Sequence, residues 1–230
     1  GSSFVDMLER TYTPKRVAFS PDLSIVSMEK EIAEVCGGAT TFFADIGAEV
    51  TDEIPDFTGV LEAFQTLRAV LFATMMEPIL KQHRNRIAPE IIGNIERGLN
   101  IKPSQIFEAE RVRIELFKKI LVFFETHDFL ICPAASIAPF PVDQRYVTEI
   151  DGKPCETYID WFSITFALTM TACPTISVPC GFTSEGLPVG VQIMGKPRGE
   201  GELLLAAKQF EAAIGISAQL PITPQKQELT

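Results

Sequence analysis

Two β-rich runs separated by a four-residue turn constrain the fold more than any other feature of this chain. Residues 174–182 read PTISVPCGF and residues 187–195 read LPVGVQIMG, and in both runs apolar residues alternate with small or polar ones. A period of two is typical of paired strands. The turn ends in Gly186, which can supply the positive φ that such a loop usually needs. Pro179 and Pro188 cannot donate ladder hydrogen bonds, so we expect them at a bulge, a strand end or an edge. The two runs are therefore predicted to form a hairpin.

Composition limits the classes of function. The chain has 230 residues with 46% hydrophobic and 22% charged side chains, and we expect a single α/β domain over residues 1–230. A formal net charge of −10 disfavours direct nucleic-acid binding and favours a cytoplasmic protein. The sequence contains no run of about eighteen apolar residues, so no membrane span is predicted. The 5 cysteines form no C-x-x-C pair, which excludes a zinc ribbon and a thioredoxin motif and indicates reduced, buried thiols.

The first quarter of the chain reads as a strand, a helix and a second strand. Residues 15–20 form a β-rich run that ends at a Pro-Asp turn signal, and residues 48–51 form another. Ser27 is predicted to cap the intervening helix. The predicted apolar face of that helix consists of Met28, Ile32, Val35 and Phe42 or Phe43. This βαβ order implies parallel pairing of the two strands.

Two longer amphipathic helices follow, over residues 57–82 and 104–126. The first carries Val60, Phe64, Leu67, Leu71 and Met75 at helical spacing, and the second carries Phe107, Val112 or Ile114, Phe117, Leu121 and Phe124. The Phe- and Met-containing stripe of the first helix could line a substrate pocket. Ordinary core packing is the simpler interpretation, because such stripes are usually core.

The remainder of the chain alternates between buried and irregular segments. Residues 128–135 read DFLICPAA, a short apolar run that predicts a buried strand. Residues 136–156 are rich in Pro, Asp and Gly and predict a long surface loop. Residues 158–173 predict a helix with Trp161, Thr165, Leu168 and Ala172 along one side. A last helix is predicted to end at Gly215, and residues 217–230 are predicted to be an irregular tail.

The segment from residue 174 to residue 211 resembles a known family. It reads PTISVPCGFTSEGLPVGVQIMGKPRGEGELLLAAKQFE and is similar to the C-terminal block of amidase-signature enzymes. These serine amidohydrolases include aryl and fatty-acid amide hydrolases and the A subunits of amidotransferases. The strings IGAEV at residues 46–50 and DFLICP at residues 128–133 resemble the same family. The resemblance implies an α/β fold with a mixed sheet flanked by helices, corresponding to the C-terminal portion of the amidase-signature fold.

The family resemblance also implies where the chemistry is carried out. In the family, a lysine and two serines, the second in a Gly-Ser-Ser-Gly-Gly-like segment, lie in the N-terminal half, and neither element is found here. We therefore expect the C-terminal part of an amidase that is inactive alone, and we assign no catalytic residue, metal or cofactor. Residues 1–3 read GSS, which we interpret as a tag scar or a frayed terminus. The expected partners are a small-molecule amide and either the missing N-terminal half or a second copy of the chain.

Three departures from the family pattern bear on the substrate. Thr169 and Ala172 stand where many amidases have Asn and Gly ahead of the hairpin. Trp161 and Phe162 stand where amidotransferase A subunits carry an Asp that recognises the glutamine amino group. Their R-R-I-x-x-G string, which includes a glutamine-binding Arg, corresponds to GNIERG at residues 93–98. The first departure removes the Asn that makes a backbone contact in the family. The other two remove both charge partners of a free amino acid, and they favour an apolar amide over glutamine.

The resemblance places four residues around the acyl side of the substrate, namely Ile137, Trp161, Phe162 and Thr165. Large aromatic walls bury an apolar acyl or aryl group and disfavour an ammonium group that lacks a charge partner. Packing of both aromatic side chains in the core is an equally good interpretation at this point.

Two other motifs are weaker candidates for catalysis. The string SMEK at residues 27–30 fits an S-x-x-K nucleophile, but no Ser-Asp-Asn or Lys-Thr-Gly accompanies it, so a helix cap followed by a solvated lysine is the preferred interpretation. His83 is expected at an exposed helix end. His127 and Asp128 are adjacent, and neighbours in a strand point to opposite faces, so they cannot form a dyad. The functional alternatives are the A subunit of an aspartyl/glutamyl-tRNA amidotransferase and a non-catalytic interaction domain.

Overall fold

A computed structural model describes residues 3–216 as one five-stranded sheet covered by helices. The strands are β1 (Arg16–Phe19), β2 (Glu49–Thr51), β3 (Phe129–Pro133), β6 (Thr175–Phe182) and β7 (Pro188–Gly195), and β4 (Glu149–Ile150) with β5 (Lys153–Pro154) forms a small separate hairpin. The helices are α1 (Phe4–Met7), α2 (Lys30–Asp45), α3 (Val60–His83), α4 (Pro89–Asn100), α5 (Pro103–Phe123), α6 (Ser163–Thr169) and α7 (Glu200–Ile214).

The main sheet is mixed, with strand order β2-β1-β3-β7-β6. β1 pairs in parallel with both β2 and β3, whereas β7 pairs antiparallel with β3 and with β6. The parallel β1-α2-β2 unit and the buried strand that follows α5 are both confirmed. The predicted α/β class, a mixed sheet flanked by helices, is also confirmed.

The hairpin of β6 and β7 has the irregularities that its prolines require. The register shifts between Pro179 and Gly181, so Pro179 lies at a bulge, and Pro188 is the first residue of β7. Gly186 closes the turn with a φ of 80° and donates its N–H to the Thr183 carbonyl at 2.9 Å. Both prolines therefore lie where a missing N–H costs little, as predicted.

Helices cover both faces of the sheet. α2 and α7 cover one face, where Phe43 and Phe210 stack with ring centroids 5.8 Å apart and both side chains fully buried. α3, α5 and α6 cover the other face, where Leu116, Ile120 and Ile164 are buried against Leu130 of β3. Because the side chains of a strand alternate between faces, neighbouring residues of β3 contribute to different cores.

The structure corrects two details of the predicted helices. α2 starts at Lys30 with Glu29 as its N-cap, so the predicted Ser27 cap is wrong because Ser27 lies outside the helix. The predicted helix over residues 158–173 is instead a 3₁₀ turn, Asp160–Phe162, followed by α6, which ends at Thr169. Ala172 then adopts a left-handed φ of 56°, which a continuing helix does not allow.

The predicted apolar faces of α3 and α5 are partly wrong. Leu71 and Met75 are 55% and 65% exposed, and Phe107 is 60% exposed. The buried faces contain many small side chains instead, including Ala63, Ala69 and Ala73 of α3. Helix neighbours on several sides explain this outcome, because close approach between helices favours small residues over large ones.

Several other expectations concern the surface and the chain ends. The segment predicted as a loop over residues 136–156 contains the β4-β5 hairpin. Cys36, Cys132 and Cys180 are buried thiols, but Cys155 and Cys173 are partly exposed.

Within residues 3–216, no helix combines the length and the apolar composition that spanning a membrane requires. The predicted tail and residues 1–2 lie outside the described residues, and Ser3 caps α1 by accepting the Asp6 N–H at 3.1 Å.

Candidate functional site

A cleft opens at the carboxyl end of β3. Its volume is about 640 Å³, within the range of ligand pockets. Its walls are Ile32 of α2, residues 134–135 and 137–140 after β3, Trp161, and residues 177–179 and 188–190 of the hairpin. We call this the apolar cleft, because nearly all of these side chains are apolar. In open α/β sheets, ligands bind at the carboxyl ends of parallel strands, and β1 and β3 are parallel here.

Glu29 fixes one wall of the apolar cleft. Its carboxylate Oε2 accepts the backbone N–H of Ala138 at 2.9 Å, and its own backbone N–H donates to the Ser136 carbonyl at 2.9 Å. The start of α2 therefore holds the segment after β3 at two points. A charge-assisted bond of this kind is stronger than a neutral one, and it attaches this wall, which has no regular secondary structure, to the start of α2.

Thr165 and the Trp161 backbone hold the same segment from the opposite side. Thr165 Oγ1 donates to the Ala134 carbonyl at 2.7 Å, and the Ser136 N–H donates to the Trp161 carbonyl at 2.9 Å. The 3₁₀ turn and α6 are thereby tied to the end of β3. These bonds place the Trp161 ring at the cleft, where it meets Phe140 edge to face with centroids 5.5 Å apart.

The structure brings two of the four predicted substrate residues to the apolar cleft. Ile137 and Trp161 line it. Phe162 lies behind Trp161, with ring centroids 4.8 Å apart, and also contacts Phe166 at 6.0 Å. Thr165 supports the cleft through its bond to Ala134. Contact between any of these four residues and a substrate stays a prediction.

Within the described residues, no serine hydroxyl hydrogen-bonds to a histidine or a lysine, the arrangement that activates a serine nucleophile. The S-x-x-K string illustrates this. Ser27 precedes α2, and Lys30 is 84% exposed and pairs with Glu34 at 3.5 Å. The interpretation of Lys30 as a solvated lysine is therefore confirmed. Among residues 3–216, no three His, Cys, Asp or Glu side chains are grouped closely enough to hold a metal ion.

His127 is a buried structural residue. Its Nε2 lies 3.1 Å from Thr51 Oγ1, its Nδ1 lies 3.0 Å from Thr126 Oγ1, and its ring stacks on Phe123 at 4.2 Å. Asp128 points elsewhere, accepting the backbone N–H of Lys15 at 2.6 Å, so the two side chains form no dyad, as predicted. Burial lowers the pKa of His127, and the positive charge of Arg16 lowers it further.

This lowered pKa predicts a pH-dependent stability. Below the unfolded pKa of about 6.5, the unfolded chain binds a proton that the folded chain takes up only at lower pH, so the His127 contribution is complete above that pH and is lost as the pH falls. We expect His127→Gln to flatten the loss of stability between pH 8 and pH 5.5, measured as the urea midpoint by circular dichroism. Gln82→Ala, which removes an exposed side chain and no titratable group, should retain the wild-type slope. Equal slopes for all three proteins would contradict the prediction.

A second cavity has a volume of about 450 Å³. Its wall includes the Arg68 side chain, which no sequence motif indicated. The cavity lies among α3, α4 and residues 146–158, and we call it the arginine cavity after Arg68 of α3. Asn94, which corresponds to the second position of the R-R-I-x-x-G string, lies beside it, with Oδ1 2.9 Å from Arg68 Nη1. Arg68 interrupts the apolar run LRAVL at residues 67–71. This charged residue within an apolar run was the one feature of the sequence that could have pointed to Arg68.

Comparisons with known proteins agree with this fold and these motifs. The amidase family model matches residues 2–204. An acylamidase of Rhodococcus erythropolis is 27% identical over 214 residues, covering 92% of this chain and 45% of the relative. The A subunit of a glutamyl-tRNA(Gln) amidotransferase from Geobacter sp. (strain M21) is 30% identical over 177 residues, covering 74% of this chain and 34% of the relative. The chain thus spans less than half the length of these curated relatives.

Solved structures also match this chain over about half of their own length. A bacterial aryl acylamidase of the amidase signature family superposes with a TM-score of 0.80 at 23% identity, covering 95% of this chain and 49% of that one. A 6-aminohexanoate cyclic dimer hydrolase superposes with a TM-score of 0.78 at 19% identity, with the same coverage. At these identities the structures establish the fold, and the family model covers most of the chain. The chain therefore belongs to the amidase signature family.

Proposed function

We propose that this chain forms one side of the substrate site of an enzyme that hydrolyses a carbon–nitrogen amide bond. Membership of the amidase signature family supports this reaction class, and so does the similarity to acylamidases. In the proposed enzyme, a segment outside this chain supplies a serine nucleophile, a second serine and an unprotonated lysine. The chain covers only 45% to 49% of the acylamidase relatives, which leaves room for such a segment.

The apolar cleft is the observation that carries this proposal. It combines an aromatic wall, Trp161, with backbone held by Glu29 and Thr165, and it contains no nucleophile with an activating base among the described residues. Such a cleft suits the apolar acyl or aryl group of an amide, because it offers van der Waals contact and no charge partner. The proposed role of the chain is to bind and orient the substrate.

Phe162 extends the proposed preference for apolar groups. It lies behind Trp161. By the family resemblance, Trp161 and Phe162 together stand where amidotransferase A subunits carry an Asp. A phenyl ring there offers no partner for the ammonium group of a free amino acid. We therefore propose an apolar amide as the substrate and do not favour free glutamine.

The surface supports a role as part of a larger assembly. β6 and β2 are the two edge strands of the sheet in the described part of the chain, and Ser177 and Pro179 of β6 are exposed beside the apolar cleft. Exposed apolar side chains lie on α3 and α5, including Leu71, Met75 and Phe107. We propose that a catalytic segment, or a second copy of the chain, covers part of this surface.

One experiment tests the proposal. We expect the isolated chain to release no product from aryl and alkyl anilides, and the complete protein encoded by the gene that contains it to hydrolyse them. In the complete protein, Trp161→Ala should raise KM for an aryl amide about tenfold, because an aromatic wall contributes about 1–2 kcal/mol of binding. Leu99→Ala, which removes an exposed apolar side chain on α4, is the matched control and should leave KM unchanged.

Other outcomes would replace the proposal. Turnover by the isolated chain that disappears in Ser27→Ala would establish the S-x-x-K alternative. Hydrolysis of free glutamine in preference to anilides would favour the A subunit of an amidotransferase. No hydrolysis by the complete protein would favour the non-catalytic interaction domain.

A further inference from the structure

Arg68 forms no ion pair with a carboxylate in the described part of the chain. Arg68 is only partly exposed, and its guanidinium donates from Nη1 to Asn94 Oδ1 at 2.9 Å and from Nη2 to the Tyr158 hydroxyl. A longer bond from Nη1 reaches Gln65 Oε1 at 3.5 Å. All three acceptors are neutral. Within residues 3–216, no carboxylate lies within ion-pair distance of Arg68.

Neighbouring arginines differ from Arg68 in this respect. Arg97 lines the same cavity and pairs with Glu62 at 2.8 Å. Arg145 pairs at 2.6 Å with Glu90, another residue of the cavity wall. Those two cations are therefore matched by carboxylates, whereas Arg68 has no such match in the described part of this wall. A partly buried cation without a counter-ion carries a desolvation cost that a bound anion can recover.

The aromatic rings around Arg68 restrict the orientation of its guanidinium group. Its Cζ lies 4.9 Å from the Phe72 ring centroid and 5.4 Å from that of Tyr158. These cation–π contacts and the bonds to Asn94 and Tyr158 fix the orientation of the plane. Three of the five guanidinium N–H groups are used by the described neighbours, so two remain available to a ligand. A pre-oriented guanidinium with free donors suits a carboxylate, which can accept two parallel N–H bonds.

We propose that the arginine cavity binds the carboxylate group of a small organic ligand through Arg68. The cavity volume of about 450 Å³ admits such a ligand, and its wall residues are distinct from those of the apolar cleft. Tyr146 and Tyr158, whose rings meet at 6.3 Å, provide an apolar surface for the body of the ligand. Glu156 also lines the cavity, is exposed and pairs with no cation among residues 3–216, so it opposes the anion and limits its affinity.

Benzoate and benzamide form a matched pair of probes, because they differ mainly in charge. We expect the chain to bind benzoate at least tenfold more tightly than benzamide in isothermal titration calorimetry, and Arg68→Gln to remove the difference. Arg68→Lys should retain only part of it, because an ammonium group cannot form the two parallel bonds. Glu156→Gln should tighten benzoate and leave benzamide unchanged. Arg113→Gln removes an equal charge from exposed α5 and should leave both affinities unchanged.

The Lys and Glu156 variants keep the test informative if Arg68→Gln unfolds. A purely structural role for Arg68 would alter stability but would not create a preference for benzoate. Equal binding of the two probes by the wild-type chain would overturn the proposal, and so would a preference that persists in a folded Arg68→Gln variant. Either result leaves amide hydrolysis by the complete protein untouched, since binding is measured without turnover.

The source of the carboxylate is resolved in the complete protein. If it belongs to the amide substrate, anilides that carry a carboxylate should show a lower KM than neutral ones, and Arg68→Gln should abolish that difference. If it belongs to a separate ligand, both kinds of anilide should show the same KM while benzoate still binds through Arg68. Both results support the site, and they differ only in which molecule occupies it.

Discussion

Gly98→Ala is expected to destabilise the fold by about 3 kcal/mol, at the upper end of what overpacking usually costs. A Cβ at this position would lie 2.0 Å from the Ala69 carbonyl oxygen and 2.7 Å from the Ala73 Cβ. The obstructing atoms belong to the backbone of α3 and to a side chain without rotamers, so no local rotation can relieve the clash. α3 and α4 would have to move apart.

Gly93→Ala is the matched control, in the same helix. A Cβ at Gly93 would meet no atom within 4 Å, so the substitution should gain about 0.5–1 kcal/mol from helix propensity. Urea denaturation followed by circular dichroism measures both variants against the wild type. Opposite shifts of the midpoint are expected, and a similar loss in both variants would contradict the proposed close contact at Gly98.

The same contact explains how the arginine cavity is built. Gly98 and Asn94 lie four residues apart on α4 and therefore on one face of the helix. Because α4 approaches α3 closely at Gly98, Asn94 comes within 2.9 Å of Arg68. Of the R-R-I-x-x-G string, this chain keeps Ile95, which is fully buried, and Gly98. Both retained residues serve packing, whereas both arginines of the string have been replaced.

Strands were predictable from the sequence where alternation and turn chemistry agree. The hairpin had alternating side chains, a glycine in the turn and two prolines whose positions restricted the register. The buried strand after α5 was a short apolar run bounded by Asp128 and Pro133. In each case several local signals indicated the same structure, so tertiary context had little to change.

Helix faces were less predictable for a physical reason. α3 contacts α4, α5 and α6, so it has no single buried stripe, and its closest contacts are made through Ala69 and Ala73. Large side chains such as Leu71 and Met75 lie away from these contacts. A pattern that counts large apolar residues therefore selects the wrong face. Hydrophobic periodicity indicates that a helix exists, but not which neighbours it has.

The candidate site was predictable only in part. The resemblance selected residues near the apolar cleft, and two of them, Ile137 and Trp161, line it. Arg68 was missed because its proposed role depends on the absence of a nearby carboxylate among the described residues, which only the spatial arrangement reveals. Glu29 was missed for a similar reason, since its partner Ala138 is 109 residues away in the sequence.

Phe210→Ala is expected to destabilise the fold by about 3–5 kcal/mol, the usual cost of removing a fully buried phenyl ring. Phe210 lies on α7, where it stacks on Phe43 and meets Phe42 edge to face at 5.7 Å. Its removal would leave a cavity between α7, α2 and the sheet. Urea denaturation measures the loss, and Phe107→Ala, at a ring that is 60% exposed, should change stability by no more than about 0.5 kcal/mol.

A double-mutant cycle separates the ring pair from general burial. If the stacked contact contributes, Phe43→Ala and Phe210→Ala should be coupled by about 1 kcal/mol, so that the double variant loses less than the sum of the single losses. Additive losses would mean that each ring acts through its own cavity alone. The coupling matters for the apolar cleft because α2 carries both Phe43 and Ile32, a wall residue of that cleft. A coupled pair would mean that the contact with α7 stabilises α2, the helix that carries Ile32 and that begins beside Glu29.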